Sequence, residues 1–466
     1  MALKTITTTK SAITNCEEKR LDVKYFFVNS IFDVLKNKSK CDIKSLDELD
    51  AKISSGSYID TYTSQSKGVP YIRVGNIKPF SISEDSFNLV YVSNNVPTKI
   101  KVKKEDIILG RTQATVAKLA VASIVSDENE GHVISQHISK IRIDSISPYF
   151  LVAYLNSIFY KAQTALATHG DTRVELTHSQ LKKVRVFLPQ QKVVDSIVAK
   201  SKEIIKLNSL SLAIINKAQN YFYQKIGIDF SKSQKEKYYS VNLSNISREN
   251  LWTPSYSYPL YVNTLKTIQQ KWHTVPLGEI ATAKKGDEVG SANYSVGLDK
   301  KDNDIPFIRT SDLINYEIDQ SPDYYIPNEI YQDLKQDVKA GDVLYNNDGK
   351  IGLVAILTKQ DKVIIQSHIK RLRLKAEAKK YNLTPEYLFL VLTIKEVARY
   401  QAERYTVIQS TIPTISNHIL DIQIPILDKN SIDEITKLVK EAFELKDEKK
   451  KLIKEVREEI DSYFDI

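Results

Sequence analysis

The stretch "DIPFIRTSDL", from Asp304 to Leu313, repeats in similar form an earlier stretch, "GVPYIRVGNI", from Gly68 to Ile77. Each places a proline and an aromatic residue before Ile-Arg and then continues in small and polar residues. Similar phrases far apart in one chain indicate a repeated structural unit. The chain of 466 residues is also longer than one ordinary hydrophobic core requires, so we expect two or more domains.

Further phrases of the two halves match each other in the same order along the chain. The pairs are "VNSIFDVLKNK" from Val28 and "VNTLKTIQQKW" from Val262, "SLDEL" from Ser45 and "PLGEI" from Pro276, "KKEDIILGR" from Lys103 and "VKAGDVLYN" from Val338, "ISQHISKIRID" from Ile134 and "IQSHIKRLRLK" from Ile365, "SPYFLVAYLNS" from Ser147 and "TPEYLFLVLTI" from Thr384, and "LKKVRVFLP" from Leu181 and "ILDIQIPIL" from Ile419. An ordered series of this kind indicates two copies of one plan.

Each copy alternates Val, Ile and Tyr between frequent turns, which predicts a mixed α/β (α+β) globule with a mainly antiparallel, twisted sheet. Ser147 and Thr384 each precede a proline, which predicts a helix N-cap with proline at the first helical position. We predict a first copy over residues 1–190, a central helix over 191–226, a second copy with its N-terminal linker over 227–429, and a C-terminal helix over 430–466.

Both predicted long helices carry an apolar stripe at spacings of three and four residues, which is typical of a coiled-coil seam. The stripe residues are Val194, Ile197, Ile204, Ile205, Leu212, Ile215 and Phe222 in the first helix, and Ile435, Leu438, Ala442, Leu445, Leu452 and Val456 in the second, where Lys449 fills a polar seam position. We expect the stripes to pack against each other in antiparallel fashion; the alternative is that each packs on its own copy. The run "KDEKKK", from Lys446 to Lys451, is interpreted as a solvated face.

Composition restricts the class of protein. The net charge is +9, from 66 Lys and Arg against 57 acidic residues, a basic excess that suits nucleic-acid binding without establishing it. Cys16 and Cys41 are the two cysteines, which argues against a disulfide framework or a cysteine zinc site. The sequence has no apolar run of the roughly 20 residues that span a bilayer and no secretory signal core, so we expect a cytoplasmic protein.

Motifs of catalysis are missing from the sequence. The seven histidines show no metal-ligand spacing, and neither a Walker A sequence nor GxGxxG, GxSxG or paired cysteines occur. No Asn-Pro-Pro-aromatic sequence is present, which an adenine methyltransferase needs to hold a flipped base. The equivalent His137 and His368 are interpreted as structural histidines that bond to backbone. We therefore predict a recognition protein without catalytic residues, metal or bound cofactor.

The chain resembles the specificity subunit of type I restriction-modification systems over nearly its whole length. The phrases that carry the resemblance are "RLDVKYF" from Arg20 and its degenerate partner "LWTPSYSYP" from Leu251, the paired "VPYIRVGNI" and "IPFIRTSDL", the paired "EDIILGR" and "GDVLYNN", and "LKKVRVFLPQQKVVDSIV" from Leu181 leading into a long helix. Their order, their duplication and the two helices together are distinctive.

The resemblance implies that each copy is a target recognition domain that reads one half of a split DNA sequence. It also implies that the long helices pair as an antiparallel coiled coil with pseudo-two-fold symmetry, which sets the spacing between half-sites. Two methyltransferase subunits would dock there and methylate adenine with S-adenosylmethionine, a cofactor expected on those partners. A motor-nuclease subunit would join to cleave unmodified DNA. Because the copies have diverged, the target should be asymmetric and bipartite.

Base-reading residues should lie where the copies differ most. One pair of candidate loops follows the matched strands, and the other pair precedes the final strand of each copy. The candidates are Arg111, Thr112, Gln113, Thr115, Lys118, His169, Thr172 and Arg173 in the first copy, and Asn346, Asn347, Asp348, Lys350, Gln409, Ser410 and Thr411 in the second. For any one of them, an ordinary surface loop or cap is the alternative. Arg73 and Arg309, after the repeated strand, are either phosphate anchors or structural, and we favour the structural role.

Other functional classes stay open at this point. The chain would also suit a stand-alone DNA-binding protein of the same fold, or the specificity part of a type II enzyme that cuts beside its site. An unrecognised enzyme is the third alternative. An adjacent gene for an adenine methyltransferase would favour a type I specificity subunit, and the absence of such a gene would favour a stand-alone DNA-binding protein.

Overall fold

The computed structural model describes residues 10–11, 26, 41–83, 89–113, 116–167, 174–232, 235–247, 251–296, 303–319, 322–334, 336–409 and 411–462. These residues form two compact units: the first comprises those up to 206 and from 451 onward, and the second those from 207 to 450. The boundary therefore falls inside both long helices. In the described part of the chain, no helix is both long and apolar enough to cross a membrane.

The first copy consists mostly of short strands and is followed by a long helix. In chain order they are β1 (Asp42–Ser45), β2 (Lys52–Ser55), β3 (Gly68–Ile72), β4 (Val90–Ser93), β5 (Ile107–Gly110), β6 (Thr112–Gln113), α1 (Val116–Leu119), β7 (Ala122–Ile124), β8 (Val133–Ile134), β9 (Ile138–Arg142), α2 (Pro148–Tyr154), α3 (Ile158–Ala167), β10 (Val174–Glu175), α4 (His178–Lys182), β11 (Arg185–Leu188) and α5 (Gln191–Ile226).

In the second copy, two helices precede the same succession. Its elements are α6 (Leu243–Ile246), α7 (Pro259–Lys271), β12 (Thr274–Pro276), α8 (Leu277–Ile280), β13 (Ala281–Lys285), β14 (Ser295–Val296), β15 (Ile305–Ile308), β16 (Leu313–Ile314), β17 (Glu317–Ile318), β18 (Tyr324–Ile326), α9 (Asn328–Asp333), β19 (Val343–Asn346), β20 (Val354–Ile356), β21 (Ile364–Ile365), β22 (Ile369–Leu374), α10 (Pro385–Thr393), a π-helical turn (Lys395–Arg399), α11 (Tyr400–Tyr405), β23 (Val407–Gln409), β24 (Ile412–Thr414), β25 (Gln423–Pro425) and α12 (Lys429–Asp461).

Strand pairing confirms the repeat. The first copy has an antiparallel sheet in the order β2-β9-β5-β7, and the second has β13-β22-β19-β20 in the same places. In each copy the strand of the repeated phrase pairs in parallel with a later strand, β3 with β8 and β15 with β21. The first and last strands close each copy, β1 on β11 and β12 on β25. The predicted mixed fold with mainly antiparallel sheets is confirmed.

The repeated phrase forms a strand followed by a tight turn. Asn76 and Asp312, three residues after the arginines, are buried and accept the backbone N–H of Arg73 and of Arg309, each at 2.9 Å. The Arg309 guanidinium lies 4.8 Å from the ring centroid of Tyr324, a distance typical of a cation–π contact. The turn is part of the fold's frame, and the structural role favoured for Arg309 agrees with this contact.

Both predicted N-cap positions are confirmed, but only Thr384 caps its helix through its side chain, since Ser147 makes no capping hydrogen bond. Ser147 and Thr384 precede α2 and α10, each with proline at the start of the helix, and the Thr384 hydroxyl accepts the Tyr387 N–H at 3.1 Å. Both helices are buried on most sides. A buried tyrosine of each donates a 2.7 Å hydrogen bond to a carbonyl of the closing strand, Tyr154 to Arg185 and Tyr387 to Pro425. The helix is thereby fixed to the last strand in both copies.

The two long helices pack together within each unit, as predicted. In the first unit, Ile197 and Ile204 of α5 share a buried cluster with Val456 of α12, and Lys200 forms an ion pair with Glu459 at 3.0 Å. In the second unit, Ile215 and Phe222 share a buried cluster with stripe residues Ile435, Leu438 and Ala442. Both clusters also contain core residues of the adjacent copy. The helix stripes therefore pack on each other and on the copies at once.

The interpretation of "KDEKKK" as a solvated face is wrong. Lys446, Lys449 and Lys450 are only 0%, 6% and 3% exposed. Lys446 donates to the carbonyl of Asn315 at 2.9 Å and to the Glu317 carboxylate at 3.2 Å. Lys449 donates to the same carboxylate and, at 3.0 Å, to the side chain of Asn208.

Lys450 has its own carboxylate partner in the second unit. Its ammonium lies 2.8 Å from both oxygens of Asp361 and 3.2 Å from the hydroxyl of Thr358. Burial by itself would raise the pKa of Glu317, but the charges of the three lysines outweigh this effect and hold its pKa at about 2. These contacts fix α12 to the β16–β17 hairpin and to the loop after β20.

We predict that Glu317→Gln destabilises the second unit by about 3–5 kcal/mol, because removal of one partner leaves buried lysine charges without compensation. Both tryptophans, Trp252 and Trp272, belong to this unit, so their fluorescence in urea reports its free energy of unfolding. The exposed Glu448→Gln on the same helix is the matched control and should stay within about 0.5 kcal/mol of the wild type.

The pH dependence of the same variants gives a second readout. The folded pKa of Glu317 lies below its ordinary value of 4.5, so its stabilisation is present above pH 4.5 and is lost as the pH falls toward 2. The wild type should therefore lose stability more steeply than Glu317→Gln across this interval. Equal slopes, or equal stability of Glu317→Gln and Glu448→Gln at neutral pH, would contradict the role given to this carboxylate.

Candidate nucleic-acid interface

The two strand-end loops that sequence analysis selected lie at equivalent places. In the first copy the loop follows β5, and the Arg111 N–H donates to the carbonyl of His137 at 2.7 Å. In the second copy the loop follows β19, and the Asn347 N–H donates to the carbonyl of His368 at 2.9 Å. One backbone frame therefore presents two different sets of side chains.

In the first copy, an ion pair closes the loop. The Arg111 guanidinium lies 2.9 Å from the Glu175 carboxylate, and β6 pairs with β10 so that Thr112 faces Glu175. Gln113 donates to the Val74 carbonyl at 3.4 Å. Arg111, Thr112 and Gln113 are half-buried, as is Lys118 on α1. The pairing brings the two predicted loops of this copy together.

Sequence analysis missed three polar residues near this loop: Ser55, Glu175 and His178. The His178 ring nitrogen Nε2 lies 2.8 Å from the Ser55 hydroxyl. Burial, and after it the charge of Arg111, lowers the pKa of His178, so this ring is close enough to sense the guanidinium. Glu175 and His178 stand in "ATHGDTRVELTHSQ", but the residue types alone gave no reason to prefer them over their neighbours.

In the second copy, Asn346 and Asn347 are buried. The Asn346 amide donates to the carbonyl of Lys350 at 2.7 Å, and the Asn347 amide donates to Asp348 at 2.8 Å. Their amide N–H groups are thus used inside the loop. As the structure stands, these two residues shape the loop, and the exposed Lys350 extends from it.

Asp348 connects the same loop to the hairpin of β23 and β24. Its carboxylate accepts from His368 Nδ1 at 2.7 Å, and also from Thr414 and Asn347. Burial by itself would raise the pKa of Asp348, but these three hydrogen bonds outweigh it and lower the pKa. The Gly349 N–H also donates to the carbonyl of Pro413 at 2.8 Å. The second copy therefore also brings its two predicted loops together.

The histidine interpretation needs a correction. The His368 side chain bonds to the Asp348 carboxylate, and the His137 ring lies 3.2 Å from the Gln136 side chain. It is the carbonyl groups of both residues that bond to backbone, through Arg111 and Asn347. The prediction of side chains bonded to backbone is wrong, because each ring points away from the strand toward a polar side chain.

The hairpin presents apolar side chains beside Thr411. Ile408 and Ile412 are 70% and 50% exposed, and Thr411 is exposed at the turn. Of the other candidates, Thr115, His169, Thr172, Arg173 and Ser410 lie outside the described residues, and Gln409 is described only by its backbone in β23. Across the described ranges, no group of three or more His, Cys, Asp or Glu is arranged to hold a metal ion.

Comparison with known proteins gives a family match. Residues 269–455 match the family model described as "Type I restriction modification DNA specificity domain". This range covers most of the second copy and most of its long helix α12, so this part of the chain is similar to the family that the sequence resembles. Among curated proteins, no match to the chain is found.

Two solved structures with similarity to the chain are specificity subunits. The S subunit of a type I restriction-modification system from M. genitalium is 12% identical, with 92% of this chain and 96% of that chain covered and a TM-score of 0.36. The HsdS subunit from Thermoanaerobacter tengcongensis is 14% identical, with 89% and 96% covered and a TM-score of 0.28.

We predict that Asp348→Asn loosens the second loop, because an amide N–H₂ group would then face the donors of His368, Asn347 and Thr414. Hydrogen bonds to a charged group contribute about 1.5–3 kcal/mol, so the amides of Gly349 and Ile415 should exchange about 10- to 150-fold faster by mass spectrometry. Asp333→Asn, at an exposed site of α9, is the control. Unchanged exchange of both amides would show that Asp348 does not hold the loops together.

Proposed function

Since the chain carries a type I restriction-modification DNA specificity domain, we propose that it is the specificity subunit of such a complex and reads an asymmetric, bipartite DNA target. The observation that carries this proposal is the difference between equivalent loops on one frame. An ion pair of Arg111 with Glu175 joins the two loops of the first copy, whereas Asp348, hydrogen-bonded to His368 and Thr414, joins those of the second. Two readers with one frame and different side chains suit two unlike half-sites.

The exposed and half-buried side chains of these loops supply the chemistry for reading bases. Arg111, with Gln113 beside it, offers donors for guanine or adenine edges, and Lys350 with Thr411 offers donors in the second copy. Part of the Arg111 charge is held by Glu175, so this pair would have to open or reorient when Arg111 contacts a base. The net charge of +9 favours approach to the phosphate backbone.

The long helices would act as a spacer and as a platform. Antiparallel pairing of two helices that carry similar readers generates an approximate two-fold relation, which suits the dyad of duplex DNA. In this role the chain binds double-stranded DNA and two methyltransferase subunits, and restriction subunits with motor and nuclease activity would complete the complex. S-adenosylmethionine would be bound by the methyltransferases, and the chain itself would carry out no catalysis.

The buried lysine contacts support the spacer role. Glu317 and Asp361 hold α12 in one position against the second copy, so a reader fixed in this way would keep a constant relation to the spacer. The specificity part of a type II enzyme is the second candidate, and the identity of the partner chain that co-purifies distinguishes the two. A type II arrangement would have as its partner one polypeptide that combines methyltransferase and nuclease activities.

We predict that Arg111→Ala and Lys350→Ala act on different halves of the target. A base-reading contact contributes about 1–3 kcal/mol, so each change should reduce methylation of its own half-site about 5- to 150-fold and relax the base preference there. The measurement is methylome sequencing of cells that express each variant with the partner methyltransferase. Exposed Lys192→Ala, at the start of α5, is the control and should leave both halves unchanged.

A larger exchange tests modularity in the same assay. Replacement of residues 20–190 with the first reader of another specificity subunit should change one half of the methylated motif and leave the other intact. Altered bases in both halves after this exchange would refute separate readers. Methylation by the purified chain alone, with labelled S-adenosylmethionine, would refute a non-catalytic role.

A further inference from the structure

The first copy contains a basic cavity whose lining includes none of the candidate loop residues. Its volume is about 540 Å³, and six cationic residues line it: Lys52, Lys99, Lys101, Lys103, Lys140 and Arg142. Glu130 is the carboxylate in the lining. All of these residues belong to the first unit. The excess of cations over carboxylates around one concave site favours an anion as its occupant.

Two strand residues form the inner wall of the cavity. Lys140, on β9, is buried and donates to the carbonyls of Lys99 and Lys101 at 3.1 and 2.9 Å. Arg142 makes two hydrogen bonds of 2.7 and 2.8 Å to the buried Asp106. Burial lowers the pKa of Lys140, an effect that Asp106 only partly offsets. The wall therefore presents two cations that share one buried carboxylate, Asp106, which lies 2.7 Å from Arg142 and 4.0 Å from Lys140.

The second copy builds the same wall from equivalent residues. Asp342 takes the place of Asp106: each accepts an N–H from the residue three positions earlier, Lys339 at 2.9 Å and Lys103 at 2.8 Å. Arg373 pairs with Asp342 at 2.6 and 2.7 Å, as Arg142 does with Asp106. Strand register places Arg371 where the first copy has Lys140.

The copies differ in the sign of a charge beside this wall. Counted from the shared aspartate, Asp337 of the second copy stands at the position of Lys101 in the first. The Asp337 carboxylate accepts from Arg371 and from Arg373, each at 2.7 Å. Hydrogen bonds from Arg373, together with the charges of Arg371 and Arg373, outweigh the opposing effect of burial and hold the pKa of Asp337 at about 2. The second copy thus supplies its own anion.

We propose that the cavity of the first copy binds a phosphate group in the place that the Asp337 carboxylate takes in the second copy. Lys101 in that place removes the internal carboxylate and adds a cation to the wall. A phosphate group offers more acceptor oxygens and more charge than a carboxylate, and lysine ammonium groups bind it as point charges. The site is a property of the first copy only, because Asp337 fills its counterpart.

The location favours a DNA phosphate as the source. Gly110, directly before Arg111, pairs with Ile138, and Lys140 is two residues further along the same strand. At about 3.3 Å per residue this separation is about 7 Å along β9. A duplex read by the Arg111 loop would pass close to the cavity; this part of the inference rests on the proposed function. A free phosphate or pyrophosphate is the other source of the same chemistry.

The first experiment measures phosphate binding by the full chain without DNA. Thermal unfolding is followed in sodium phosphate and in sodium chloride of equal ionic strength, since a ligand that binds the folded state raises Tm. We expect phosphate to raise the Tm of the wild type and of the control Lys192→Asp, and not that of Lys101→Asp, which copies the second copy's charge. Lys101→Gln is a milder change and should show a smaller phosphate-dependent rise in Tm than the wild type. This variant keeps the test decisive if Lys101→Asp fails to fold.

The outcome of this experiment decides the site independently of any role in DNA reading. No phosphate-dependent rise in the wild type, or an equal rise in Lys101→Asp, overturns the proposal. A chain that binds phosphate in this way but reads no DNA with its methyltransferase would retain the site and lose the proposed function.

The second experiment identifies the source of the phosphate. Each neutralised phosphate contributes about 0.9 to the slope of log K against log salt. In the complex with the methyltransferase, Lys101→Asp should lower this slope by about one relative to Lys192→Asp, with unchanged bases in the methylated motif. If Lys101→Asp and Lys192→Asp give the same slope, and the wild type binds phosphate in the first experiment, the site is assigned to a free anion.

Discussion

The buried ion pairs of Lys446, Lys449 and Lys450 with Glu317 and Asp361 are the constraint on which the second unit depends. A buried ammonium group without a partner costs several kcal/mol, so α12 can pack here only where both carboxylates meet it. Since each residue turns a helix by about 100°, a shift of one position would separate every lysine from its partner. The contacts therefore define one register of the helix against the second copy.

The two copies share one structural framework and differ in the side chains that it carries. Strand order, the strand-turn phrase at Arg73 and Arg309, and the tyrosine contacts to the closing strand recur with nearly the same distances. Differences between the copies include the strand-end loops and the pair Lys101 and Asp337. Conserved geometry positions the loops, and the substituted side chains change what the loops can bind.

Patterns in the sequence predicted the features that depend on apolar spacing and local order. The repeat, the buried strands, the N-caps at Ser147 and Thr384, and stripe residues such as Ile435 and Phe222 all follow from such patterns. The buried lysines did not, because the partner of Lys449 lies 132 positions earlier in the chain. A heptad pattern reports which face is apolar, and it contains no information about a distant carboxylate.

For the candidate interface, the sequence predicted the positions of the loops but not the burial of their residues. Unlike loops at equivalent positions were visible by comparison of the copies, and the structure brings the two loops of each copy together. The burial of Asn346 and Asn347 was not visible, since an amide that shapes a turn and an amide that reads a base have the same composition. The partners of Asp348, namely His368 in the turn before β22 and Thr414 on β24, are distant in sequence and come together only through the fold.

Methylome sequencing of cells that express the wild-type chain with its methyltransferase tests the central claim most directly. Two readers on one frame with different loops predict methylated adenines in a motif of two short, unlike half-sites separated by a fixed number of unspecified bases. One continuous motif, or two identical half-sites, would contradict the account.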